Sequence, residues 1–214
     1  MTGGEPLIRR GVEELFAGLG KLPGLDTLAL TTNGSHLAEQ AAGLRDAGVR
    51  SVNISLDSLN PTRFEAITRI GKLNTVLEGI DAAIASGFER IRLNAVILDG
   101  LNRDEVVALT HFALSKKIHI AFIEEMPLGQ VNLGGKQLEY VSSDTIKSEL
   151  ATHFELQPLV SRDSSGPSRD YLIAGSQTQL GFISPHSHNF CAECTSKIII
   201  IVIITLFLEN RTYL

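Results

Sequence analysis

The sequence predicts an α/β fold whose parallel strands are joined by crossover helices. Three observations predict it. Strand-like and helix-like segments alternate from residue 28 to residue 123, short turn signals separate them, and the strand segments are apolar over most of their length. Parallel neighbours cannot be joined by a tight turn, and units of this length supply the crossovers they need. Apolar strands of this kind fit a sheet covered by helices on at least one face. An open doubly wound sheet and a partial barrel both satisfy the pattern.

Each element has its own signal. Residues 28–32 read as a strand that Asn33-Gly34 stops. Residues 36–47 follow as a helix, with Leu37, Ala41 and Leu44 at helical spacing and Gly48 just past the end, where a left-handed cap belongs. Residues 49–56 are the next strand, and Asn60-Pro61 opens another helix, proline being suited to a first turn. Residues 75–86 are helical, 90–98 a strand, 103–115 a helix and 118–123 a strand. After Pro127 the pattern changes: 129–136 reads as a loop, 143–153 as a helix and 161–169 as a polar loop. Residues 170–174 and 179–183 then flank Gly175-Ser176 as a hairpin.

Composition narrows the function classes. The chain has 214 residues, 43% of them hydrophobic and 20% charged, an ordinary globular balance. Its formal net charge of −5 gives no support for a dedicated nucleic-acid binder. Two cysteines make a disulfide-stapled scaffold unsuitable. Residues 1–6 carry neither a basic start nor an apolar run, so no secretory signal is read there and the cytoplasm is the expected location. Residues 198–204 are seven consecutive β-branched aliphatics, too short a run for the roughly 20 residues that span a bilayer. A buried strand, an exposed aggregating edge and a reading-frame shift over 197–214 all remain open for this tail.

Polar or flexible signatures end four successive strands on one predicted face, and together they argue for an active-site mouth. Gly3-Gly4-Glu5-Pro6 allows close backbone approach to a ligand; an ordinary turn is the alternative. Thr31-Thr32-Asn33-Gly34 and Ser55-Leu56-Asp57 end the next two strands, with a strand–helix turn and a solvated helix cap at Asp57 as their alternatives. Alternation places Arg90, Arg92 and Asn94 on one face, which makes Arg92 a candidate phosphate or carboxylate partner or a rim arginine. Met126 follows Glu124 and Glu125 and is a ligand contact or core filler. Cys191-x-x-Cys194 suits zinc, an iron–sulfur cluster, a redox dithiol or two buried thiols, and His186 and His188 lie near enough to complete a zinc site.

Taken in order, Thr2-Gly3-Gly4-Glu5-Pro6-Leu7-Ile8-Arg9, Leu30-Thr31-Thr32-Asn33-Gly34, Asn53-Ile54-Ser55-Leu56-Asp57-Ser58-Leu59, Phe122-Ile123-Glu124-Glu125-Met126-Pro127, Gly181-Phe182-Ile183-Ser184-Pro185 and His188-Asn189-Phe190-Cys191-Ala192-Glu193-Cys194 resemble the molybdenum cofactor biosynthesis protein A family, the GTP 3′,8-cyclases of the radical S-adenosylmethionine (SAM) superfamily. The resemblance covers residues 2–195. It implies a partial (β/α) barrel over 1–127, N-terminally truncated, with a small C-terminal α+β segment forming the auxiliary-cluster region over 128–196 and an apolar tail over 197–214. It also implies SAM and two [4Fe–4S] clusters as cofactors, GTP as substrate, a downstream molybdopterin-precursor enzyme as partner and a homodimer as a possible assembly. By matched position, Gly4, Ser55 and Met126 contact SAM, the turn from Gly3 through Glu5 to Pro6 cradles its methionine part, Thr31 and Arg92 face GTP, and Cys191 and Cys194 are two of the three ligands of the second cluster.

Departures from the family pattern set a further expectation. The Cys-x-x-x-Cys-x-x-Cys that binds the radical-generating cluster is not in the sequence, Arg92 replaces a lysine, Ala121 stands where an arginine is common, and no third cysteine follows Cys194. SAM homolysis needs an electron from a cluster, so the chain as written is expected to be catalytically inactive, with no catalytic residue assigned. Another radical SAM enzyme with an auxiliary cluster and a non-catalytic barrel fragment that binds small molecules are the competing readings.

Overall fold

The computed structural model describes residues 4–125, 132–133, 136–137, 139–159 and 167–187. They divide between two compact units, the first drawn from residues 1–56, 60–92 and 198–214 and the second from residues 57–59 and 93–197.

In the first unit a 3-10 turn, Pro6–Ile8, leads into helix α1, Val12–Leu19. No signal in the sequence reading anticipates α1. Its apolar face is short, with Val12 and Phe16 buried four residues apart, and Glu13 and Glu14 sit in the first turn where the helix dipole favours acids. Then follow β1 (Leu28–Thr32), α2 (Leu37–Asp46), β2 (Val49–Ser55), α3 (Pro61–Thr68) and α4 (Leu73–Ala85). The sequence-predicted boundaries of β1, α2, β2 and α4 agree with these to within a turn of helix or a residue of strand. Asn60 caps α3 through its Oδ1, which accepts from Arg63 N at 3.0 Å, and Pro61 occupies the first turn as expected.

Strands β1 and β2 are parallel, with Thr31 opposite Asn53 and Thr32 opposite Ile54. Helix α2 buries Leu37, Ala41 and Leu44, and α4 buries Leu73, Val76, Gly79, Ile80 and Ala83. Fully burying one such leucine or isoleucine side chain contributes about 1.5–3 kcal/mol. The two helices meet where α4 presents no side chain. A Cβ on Gly79 would lie 2.7 Å from the Gly34 carbonyl oxygen and 3.2 Å from Leu37 Cβ. Gly34 itself has φ +79°, and a Cβ there would meet Ile54 Cγ2 at 3.0 Å and Val76 Cγ1 at 3.1 Å. The Asn33-Gly34 turn is thus wedged between β2 and α4, so its glycine serves packing as well as chain reversal.

Strand β3 (Arg90–Asp99) begins in the first unit and continues in the second. Beyond it lie a 3-10 turn at Arg103–Glu105, α5 (Val106–Lys116) and β4 (His119–Glu124). The region read as a loop contains two short strands, β5 (Asn132–Leu133) and β6 (Lys136–Gln137), paired antiparallel. Strand β7 (Glu139–Tyr140) pairs antiparallel with the end of β3. Helix α6 (Ser143–Leu150), β8 (Leu156–Pro158), β9 (Ser168–Ile173) and β10 (Gln179–Ile183) complete the unit.

The predicted hairpin is present as antiparallel β9 and β10, and β8 pairs antiparallel with β9. It does not stand apart, because β10 also lies parallel to β4, Phe182 opposite Phe122. Gly181 makes that insertion possible: a Cβ there would come within 2.5 Å of Ser168 Oγ and 3.3 Å of Ala121 Cβ. Among the described residues no helix is long and apolar enough to cross a membrane.

Candidate functional site

The turn that carries Gly4 is held by one carboxylate. Glu5 Oε1 accepts hydrogen bonds from Thr32 Oγ1 at 2.7 Å and from Leu7 N at 3.0 Å, while Oε2 accepts from Asn33 N at 2.6 Å. Gln40 of α2 adds a bond from its Nε2 to Leu7 O at 3.0 Å. Two of the strand-end motifs are thereby tied together, since Thr32 and Asn33 belong to the segment that ends β1. Gly4 takes φ +56°, a left-handed conformation that favours glycine, and among the described residues nothing lies within 4 Å of where its Cβ would be. Its backbone is open to close approach. Pro6 is buried and starts the 3-10 turn, whereas Gly3 lies outside the described residues.

The strand face beside this turn is polar and half-buried. Along β1 and β2, Leu30, Thr32, Val52 and Ile54 are buried, and Thr31, Asn53 and Ser55 share the other, half-exposed face. Asn53 Nδ2 donates weakly to Thr31 Oγ1 at 3.4 Å. Strand β3 alternates as expected, with Ile91 and Leu93 buried and Arg90, Arg92 and Asn94 half-buried. The hydroxyls and amide of the β1–β2 face, and the half-buried guanidinium groups of β3, are groups that can hydrogen-bond a polar, anionic ligand.

Asp57 is not a solvated helix cap. Only 5% exposed, it accepts from Val96 N of β3 through Oδ1 at 2.8 Å, and Asn60 caps α3 instead. The end of the Ser55-Leu56-Asp57 motif is therefore buried structure.

Sequence reasoning missed Glu124, which is 1% exposed at the end of β4. Oε1 accepts from Ser143 N and from Ser187 Oγ, both at 2.6 Å, and Oε2 accepts from Ser187 N at 3.0 Å and His186 N at 3.2 Å. Burial pushes this carboxyl up, but the bonds from the Ser187 hydroxyl and from the Ser187 and Ser143 amides outweigh it and hold Glu124 below the usual carboxylate range. Ser184 Oγ joins Ser143 Oγ at 2.8 Å, and the His186 ring lies edge-on to Tyr140 at 4.5 Å. His186 is thus an aromatic neighbour of Tyr140, and among the described residues no group of three or more His, Cys, Asp or Glu could hold a metal. Met126, Cys191, Cys194, His188 and the 197–214 tail lie outside the described residues.

Residues 1–113 match the model described as Radical SAM superfamily, and residues 118–197 match the one described as Molybdenum Cofactor Synthesis C. The chain belongs to the radical SAM superfamily. Among curated radical SAM relatives it is similar to a GTP 3′,8-cyclase of Ectopseudomonas mendocina, 53% identical over 194 residues. It is also similar to one of Pseudomonas entomophila, 52% identical over 195 residues, and to GTP 3′,8-cyclase 2 of Pseudomonas aeruginosa, 49% identical over 194 residues. Each match takes in 91% of this chain, which spans 58% of the length of each of these relatives.

Radical SAM enzymes use SAM and an iron–sulfur cluster, and the residues present fit the two unequally. The open, left-handed Gly4 backbone and its carboxylate-held turn suit an amino-acid-like ligand such as the methionine part of SAM. The donor set for a [4Fe–4S] cluster falls short: the 214 residues contain two cysteines, against the three or four thiolates such clusters take.

Proposed function

We propose that this chain serves the GTP 3′,8-cyclase reaction of molybdenum cofactor biosynthesis, binding SAM and GTP at the strand ends. One observation carries the reading. Glu5 ties the Gly4 turn to the end of β1 and leaves the Gly4 backbone open beside a polar strand face. In this assignment Gly3, Gly4 and Pro6 cradle the methionine part of SAM, with Glu5 fixing the turn. Ser55 and Met126 are its other contacts, while Thr31 and Arg92 face GTP. Cys191 and Cys194 supply two ligands of a second cluster. The barrel portion corresponds to residues 1–127, the auxiliary-cluster region to 128–196 and the apolar tail to 197–214. The product passes to a later molybdopterin-forming enzyme.

SAM held at this site would supply the radical chemistry that the cyclase reaction needs, a hydrogen abstraction from GTP. Cleavage requires a cluster that two cysteines cannot hold, so the 214-residue chain is assigned binding without turnover. Isothermal titration with SAM and with GTP, followed by anaerobic iron–sulfide reconstitution and a 5′-deoxyadenosine assay, tests this. Micromolar binding of both ligands and no 5′-deoxyadenosine above a no-protein control are expected. Failure to bind either ligand overturns the site assignment, and 5′-deoxyadenosine formation overturns the assignment of binding without turnover.

The turn's anchor gives a sharper expectation. Glu5→Ala removes the acceptor of three hydrogen bonds and is expected to weaken SAM binding about tenfold, the equivalent of roughly 1.4 kcal/mol. Affinity within twofold of the parent chain would show that the turn holds its shape without the carboxylate.

A further inference from the structure

We infer that Asn102 and Glu105 are positioning residues for the SAM site, acting through the loop that leaves β2 directly after Ser55. The inference rests on the assignment of Ser55 to SAM. Asn102 is fully buried, 0% exposed, in the turn before α5. Its Nδ2 donates to Asp57 O at 2.7 Å and to Val96 O at 2.8 Å, and its Oδ1 accepts from Leu98 N at 2.9 Å. Only a side-chain amide both donates twice and accepts in this geometry; an aspartate at 102 keeps the acceptor and loses both donors. Glu105, 9% exposed, accepts from Ser58 Oγ at 2.6 Å through one oxygen and from Leu59 N at 2.7 Å through the other.

Residues 57, 58 and 59 are consequently each fixed from the Asn102-x-x-Glu105 segment, and Asp57 is fixed from Val96 N as well. Backbone groups at a buried strand end must find partners, and here two side chains supply them. The loop is four residues long, Leu56 to Leu59, between β2 and the Asn60 cap, so it has little slack. Displacing Asp57 displaces the chain two residues upstream, where Ser55 must stand within about half an ångström of its productive place. Sequence spacing alone gave no hint of this, because Asn102 and Asp57 are 45 residues apart.

Titration of the 214-residue chain with SAM and, separately, with GTP tests the inference in four forms: the parent, Asn102→Asp, Ser58→Ala and Ile120→Val. The last trims a buried strand residue outside the network and controls for general loss of stability. Asn102→Asp is expected to weaken SAM about tenfold and Ser58→Ala about threefold, with GTP affinity held within about twofold in both. Ile120→Val is expected to change neither. Equal loss of SAM and GTP, parent-like SAM affinity in Asn102→Asp, or a matching SAM loss in Ile120→Val overturns the inference. Should Asn102→Asp not fold, Ser58→Ala decides, and unchanged SAM affinity there overturns it. A parent chain that binds no SAM refutes the Ser55 assignment before any substitution is made, and the positioning role falls with it.

Discussion

Replacing Glu124 by alanine is expected to destabilise the chain by about 3 kcal/mol, because four donors lose their acceptor at once. The Ser143 amide sits at the buried start of α6 and has no water to turn to, whereas His186 and Ser187 are exposed and can be partly rehydrated. That partial rescue is why the expected cost is one large increment and not four. Glu124→Gln should cost less, roughly 1–2 kcal/mol, since one carbonyl oxygen remains while an amide NH2 faces amide donors. The sign of the pH dependence follows from the depressed pKa. A carboxyl held below its unfolded value contributes stability in full at neutral pH. That contribution begins to fade near the ordinary glutamate value of about 4.3 and is gone once the pH drops beneath the folded value. Urea melts across that acid range should show the parent losing stability more steeply than Glu124→Gln. Parallel profiles would mean that Glu124 is not the group responsible.

A pair of glycine substitutions should move stability in opposite directions. In Gly79→Ala the new methyl meets the Gly34 carbonyl at 2.7 Å and Leu37 Cβ at 3.2 Å, so α2 and α4 must part or the Asn33-Gly34 turn must shift. Overpacking against backbone costs about 3 kcal/mol, and the helix gains about 1 kcal/mol from losing a glycine, leaving a net loss of about 2 kcal/mol. Gly43 stands in mid-α2, exposed, and its Cβ would meet Glu13 Oε1 at 3.7 Å and Glu13 Cδ at 3.9 Å, ordinary contacts. Gly43→Ala should therefore stabilise the chain by up to about 1 kcal/mol. Thermal melts of the two variants decide the matter; loss of stability in both, or gain in both, would mean that the α2–α4 approach is not the limiting contact.

The sequence exposed local order well where the signal is periodic. Leu37, Ala41 and Leu44 mark the buried stripe of α2, and Ile91 and Leu93 against Arg90, Arg92 and Asn94 mark the two faces of β3. Asn60-Pro61 announced the start of α3 through its own capping chemistry. Helix α1 escaped because Val12 and Phe16 alone make too short a stripe, and β8 because Leu156–Pro158 is three residues with an exposed middle and end. The ordered motifs also pointed to the chain's family, which the match of residues 1–113 to the radical SAM superfamily bears out.

What the sequence determined by itself was the alternation of strands and helices, the identity of the strand-end motifs and the shortage of cysteines for a cluster. These follow from composition, spacing of nearest neighbours and counting. What only the tertiary structure decided was which polar side chains hold those motifs in place. Glu5 meets Thr32 across 27 residues, Asn102 meets Asp57 across 45, and Glu124 meets Ser187 across 63. Hydrogen bonds of this kind depend on where packed elements bring a donor and an acceptor within about 3 Å. No periodicity along the chain encodes that distance, so a buried carboxylate and a surface one read alike until the fold is assembled.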